Sequence, residues 1–248
     1  MEVHTHPHTE RKKFTHYLWE FLMLFLAVFC GFLAENFREH QVEHQREKKF
    51  ATLLYEDLKK DIGFLETTLI VKERRFRKLD SLFYFLDSTN LQQHAGEIYY
   101  YTTMIDIDLV FKPNDATFQQ LKSSGSLRYF NNYELYNKIS DYYSHCSFYL
   151  DHESIIFPSV PTSLLSKLFN AQSRIKLIHV TPDILNSGNF PTEPMRLRTT
   201  DEEIINELKN YAINAKISLE ISLMLLRGGK TELNNLMDEL KDEYKLKN

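Results

Sequence analysis

The chain has 248 residues, with 30 Lys and Arg against 34 Asp and Glu, for a formal net charge of -4. That length can bury a sizeable core, and the slightly acidic balance supplies no basic field that would draw in nucleic acid. Only 7 Gly, 7 Pro and 2 Cys are present, which favours long uninterrupted helices and excludes a disulfide framework.

Residues 1–13 read as a flexible, His-rich tail. His4, His6 and His8 alternate, so an extended tail could present imidazoles to Zn²⁺, Ni²⁺ or Cu²⁺, against the entropic cost of ordering it. A metal-sensing tail is therefore one alternative function.

From Phe21 to Ala34 every residue is apolar or small. That run makes roughly 21 Å of helix, short of the ~20 residues a bilayer core requires. Starting at Phe14 closes the gap and sets Tyr17 and Trp19 at an interfacial aromatic belt. The spacing predicts a transmembrane helix over 14–37. A cleaved signal fits less well, because no Ala-x-Ala site follows, and Phe29 before Cys30 argues against a lipoprotein signal. A buried core helix is the remaining alternative. The unbroken basic cluster Arg11, Lys12 and Lys13 favours a cytoplasmic N-terminus and an extracytoplasmic domain over 38–248, although Arg38, Arg46, Lys48 and Lys49 follow the span.

Within this segment Glu20 is the anomaly. A carboxylate in a membrane helix is either an interfacial group that snorkels or bonds a neighbour, or a proton-responsive one in a proton-coupled or signal-transducing subunit. Ala27, Gly31 and Ala34 add small residues, and the Ala27–Gly31 spacing of four lets helix backbones approach closely.

Polar residues without Gly or Pro then carry the helix onward as a stalk to about residue 87. Tyr55, Ile62, Leu69, Phe76 and Phe83 mark one seam column; Leu58, Leu65, Lys72, Leu79 and Leu86 mark another. Rings in the seam suit a bundle rather than a slim two-stranded coil. The run Lys72–Lys78 reads as a solvated basic face. After a stop at Asp87–Asn90, "IDIDLVF" alternates like a strand without a partner, and its end reads as extended. A helix opens at "PND" and closes at Gly125, a left-handed cap with Leu127 folding back. Another long helix runs from about Asn132 to Pro158.

The stretch "FKPNDATFQQLKSSGSLRYFNNYELYNKISDYYS" resembles the signature of a domain-of-unknown-function family of single-pass membrane proteins of Gram-negative bacteria. The opening segment is similar as well, through Glu20, Ala27, Gly31, Glu35, Asn36 and Phe37, with Ala27 where the family usually has Gly. The likeness covers about residues 11–60 and 110–145. It implies an all-α extracytoplasmic domain on an inner-membrane anchor, and it brings no reaction with it. Leu121 and Leu127 read as buried at the "LKSSG" helix terminus, with Ser123 and Ser124 bonding carbonyls rather than acting as nucleophiles.

Toward the C-terminus, two prolines in "FPSVPTSLLSKLFN" break the helix, and residues 171–199 read as irregular, with a short strand-like "IKLIHV". A helical hairpin is expected over 200–248, opened by a capping box at Thr200 and Glu203 and broken at Gly228 and Gly229. Together these elements predict an antiparallel helical bundle around the stalk.

Catalytic signatures fail one by one. "RGGKTE" lacks the phosphate-loop glycine, Met224 standing in its place. His145 and His152 lie two helical turns apart, too far to share a metal. No nucleophile elbow or Cys-x-x-Cys occurs. The sequence thus predicts a non-enzymatic, cofactor-free interaction module that self-associates or serves a membrane complex. Its partners would be the lipid bilayer and itself or another membrane protein, with no nucleic acid or small-molecule substrate.

Overall fold

The computed structural model describes residues 14–106, 108–130, 132–156, 159–170 and 195–246. The helices are α1 (Phe14–Leu86), α2 (Ala95–Asp106), α3 (Ala116–Ser123), α4 (Tyr133–Ile156), α5 (Thr162–Leu168) and α6 (Glu202–Tyr244). Among the described residues there is no strand, only one antiparallel bridge between Phe169 and Leu197, and the fold is all-α. The chain divides into two compact units between Phe50 and Ala51.

The first unit holds the apolar part of α1. This helix is long and apolar enough to cross a membrane, and none of its apolar window is buried. Phe14, Phe21, Val28 and Phe32 are each at least 65 % exposed; a helix from a soluble core would hide such side chains. Beyond the window, pairs spaced by three residues line the helix: Arg38 with Glu35, His40 with Glu43, and His44 with Glu47.

The second unit is built on three heptad seams. On α1 the buried columns are Ala51, Leu58, Leu65, Lys72, Leu79 and Leu86, and Leu54, Asp61, Thr68, Arg75 and Leu82. The predicted second column, Tyr55 to Phe83, lies one residue further round; Ile62, Phe76 and Phe83 are only half-buried. Polar residues at Asp61, Thr68 and Arg75 hide the true column from a hydrophobicity reading. Lys72 and Arg75 are buried as well, so the solvated reading of Lys72–Lys78 fails for the two residues that matter most.

On α4 the seam is Leu135, Ile139, Tyr142, Cys146, Tyr149 and Glu153; on α6 it runs from Ile205 through Leu208, Ala212 and Ala215 to Leu240. Tyr142 reaches Asp61 and Glu153 reaches Lys72 at the same offset of 81 residues, so α4 lies parallel to α1. The reverse order holds for α6. Glu66, Glu73 and Asp80 of α1 and Asp87 just past its end, seven residues apart, pair with Lys230, Arg227, Lys216 and Lys209. One half of the body therefore packs α1 with α4 and the end of α6. In the other half, the last turns of α1 join α2, α5 and the start of α6 in a core containing Leu79, Leu82, Ile98, Tyr100 and Leu208.

The expected C-terminal hairpin is instead one helix. Gly228 and Gly229 cost about 1 kcal/mol each in a helix interior, but breaking there would expose Leu226 and Leu233 on the same seam. The ring of His145 lies over the pair, 3.4 Å from where a Cβ on Gly228 would stand. The N-cap is Asp201 rather than Thr200, its carboxylate accepting from Glu203 N and Ile204 N. "IYYYTTMI" is helical within α2, because Ile98, Tyr99, Tyr100, Thr102, Met104 and Ile105 are all buried. Residues 108–115 form neither helix nor strand, and side chains bond them in place of a neighbouring strand: Phe111 N donates to Tyr149 Oη at 3.3 Å, and Asn114 N to Asp61 Oδ1 at 2.9 Å. Of the segment 171–199, residues 171–194, including "IKLIHV", lie outside the described residues. Leu197 is held by the side chain of Gln92, which donates to Leu197 O at 2.9 Å and accepts from Leu197 N at 3.1 Å.

Gly63 is exposed in mid-helix, and a Cβ there meets nothing within 4 Å. Gly63→Ala should therefore stabilise the body by about 0.5–1 kcal/mol through helix propensity alone. Thermal melts of the two full-length proteins check this.

Candidate functional site

Two places concentrate polar groups where apolar ones are the rule. The first is the membrane-type part of α1. At 100° per residue, His16, Glu20, Ala27, Gly31, Ala34 and Arg38 fall on one side of the helix. Phe21, Phe25 and Phe29 stack along the other, with ring centroids 6.3 and 5.9 Å apart. The Glu20 carboxylate meets His16 Nε2 at 2.9 Å, a partner the sequence reading had not assigned. No atom lies within 4 Å of where a Cβ on Gly31 would stand, and Ala27 and Ala34 are exposed. Small residues, the carboxylate and its imidazole thus share one open face.

The second place is the joint between the halves of the body. Lys72 contributes an ammonium with no exposed surface, bonded to Asp108 Oδ2 at 2.7 Å and Glu153 Oε2 at 3.0 Å. Ser222 of α6 donates to the other Glu153 oxygen. Arg75 meets Asp108 Oδ1 at 3.2 Å and donates from Nε and Nη2 to Met104 O and Ile105 O, each at 2.5 Å. The guanidinium so caps the C-terminal end of α2, where the helix dipole favours a cation. Burial is the main cause on both sides: it pushes the Glu153 carboxyl up and the Arg75 guanidinium down. His152 is also buried, and its Nε2 has no hydrogen-bond partner among the described residues.

One heptad and more below, Asp61 accepts from Asn114 N, from Asn114 Nδ2 at 2.5 Å and from Tyr142 Oη at 3.3 Å. Burial raises the Asp61 carboxyl, more than these bonds lower it. Thr117 adds a bond to Asp57 at 2.6 Å. Burial also pushes the Cys146 thiol up to about 12, which keeps it an unreactive thiol.

Because its folded form prefers the proton, Asp61 adds stability as pH falls through its raised pKa and loses it as pH rises. Asp61→Asn should narrow the difference between melting temperatures at about pH 5 and about pH 8. Circular dichroism melts at the two pH values measure it.

The "LKSSG" block is a helix end. Leu121 is fully buried, and Ser123 and Ser124 donate to Gln120 O at 3.2 and 2.7 Å. The Ser126 hydroxyl lies 2.7 Å from Ser124 Oγ and can donate to it. Gly125 has φ +66°, the left-handed form that favours glycine. Leu127, expected to be buried, is only half-buried and lines an open groove of about 420 Å³ with Phe118, Lys122 and Tyr143. His4, His6 and His8 lie outside the described residues. Among the described residues no three His, Cys, Asp or Glu side chains gather as a metal site.

No family model, no curated protein and no solved structure matches this chain. The buried joint was not foreseen from the sequence. Its one sign was Lys72, the single charged residue in an otherwise apolar column.

Proposed function

We propose that the chain is a non-enzymatic, single-pass membrane protein whose helical body serves as an interaction module. It sits in a bacterial inner membrane with the N-terminus in the cytoplasm and the body in the periplasm, and associates with itself or with another membrane protein. The observation that carries this reading is the fully uncovered apolar window of α1, where a soluble protein would bury its most apolar helix. Segregation of Glu20, Ala27, Gly31 and Ala34 from the Phe21–Phe25–Phe29 stack supports the association. One face suits a neighbouring helix and the other suits lipid chains.

Oxidative crosslinking of a Gly31→Cys, Cys30→Ser variant in native membranes tests the proposal. A covalent dimer or a defined heterologous adduct is expected. Monomer alone, or recovery of the protein in the alkaline-soluble fraction, would count against it.

A further inference from the structure

Two carboxylates converge on one buried ammonium at the joint, and they do not share it equally. Asp108 has Lys72 at 2.7 Å and Arg75 at 3.2 Å, whereas among the described residues the one cation bonded to Glu153 is Lys72, at the longer 3.0 Å. Glu153 is thus the less neutralised of two neighbouring anions, and burial penalises its charge further. The groups around it come from every packed element: Lys72 and Arg75 from α1, Asp108 from the segment between α2 and α3, Ser222 from α6, and Tyr149 and His152 from α4. Asp106 of α2 acts on Arg75. Both carboxylates bond the same ammonium, so a proton on Glu153 relieves the repulsion between two neighbouring anions.

We infer that Glu153, Asp108 and Lys72 form a proton-operated latch, a conformational device that tightens the joint between the two halves of the body as protons are added. The proton enters on the Glu153 carboxyl and is donated to Asp108, which keeps its bonds to Lys72 and Arg75; repulsion between two anions becomes an O–H···O bond. Ser222 still donates to the other Glu153 oxygen. When the proton leaves, Glu153 recovers its charge in a site that hydrates it poorly, and the joint loosens. The sign opposes that of ordinary ion-paired carboxylates, which stabilise less as pH falls.

Hydrogen exchange of the full-length protein in detergent micelles, read at peptides covering residues 68–78, 148–156 and 216–226, tests the latch. Protection factors, corrected for intrinsic exchange, should rise about tenfold from pH 8 to pH 5. Glu153→Gln should hold the higher protection at both pH values. Flat or falling protection in the wild type, or an unchanged slope in Glu153→Gln, overturns the inference. If Glu153→Gln fails to fold, Asp108→Asn decides: it too must flatten the slope, and an unaltered slope overturns the latch.

Discussion

Replacing Lys72 by alanine should destabilise the body by about 3–5 kcal/mol, the cost of leaving buried carboxylates without their cation. Glu153 would then face Asp108 across a cavity, with Ser222 its remaining partner. Denaturant unfolding of the full chain in micelles measures the loss. A double change, Lys72→Met with Glu153→Leu, removes the pair and fills the space, and should recover most of the stability because Arg75 still holds Asp108. That contrast separates an electrostatic role from simple loss of packing. If the double variant is as unstable as the single one, packing around Lys72 is the dominant contribution.

The other large effect lies in the apolar window. Phe25→Arg with Phe29→Arg places two guanidinium groups near the middle of the segment, at about 3 kcal/mol each for insertion in a membrane helix. Both side chains belong to the stacked aromatic face rather than the face with Glu20 and Gly31. Expression should shift the protein from the membrane pellet to the soluble or degraded fraction. Retention of the double variant in alkaline-washed membranes would remove the membrane reading.

Much of this architecture is legible from helical periodicity. The extent of α1, its stop before Asp87, the long α4 and the left-handed Gly125 all follow from apolar spacing and local backbone chemistry. Where the reading departs from the fold, buried polarity or tertiary packing is the reason. Asp61, Thr68 and Arg75 occupy core positions on α1, so an apolarity count drifts to the neighbouring column of Tyr55, Ile62 and Phe76. Thr68 donates to Phe64 O within its own helix, whereas the partners of Asp61 and Arg75, namely Asn114, Tyr142 and Met104, are remote in sequence, and no local pattern announces them. At Gly228 and Gly229 the intrinsic preference for a break is overridden by His145, 83 residues away from Gly228. Glu20 stood out from its apolar neighbours, but His16 became its partner only through the helical turn between them.

The acid–base rows on α1 and α6 bear on how this protein avoids misfolding. Glu66, Glu73, Asp80 and Asp87 repeat every seven residues, and so do Lys209, Lys216 and Lys230. Sliding one helix past the other by a single repeat would keep like patterns facing one another, so these surface pairs discriminate poorly between alignments. Two irregularities break the degeneracy: Leu223 interrupts the cationic row, leaving Arg227 to take Glu73, and Ser222 of α6 meets Glu153 in one alignment alone. Slippage by a repeat would set Ala215 or Gly229 in place of that hydroxyl and leave a buried Glu153 oxygen without its donor, so one interior polar contact selects the alignment that the surface pairs leave open.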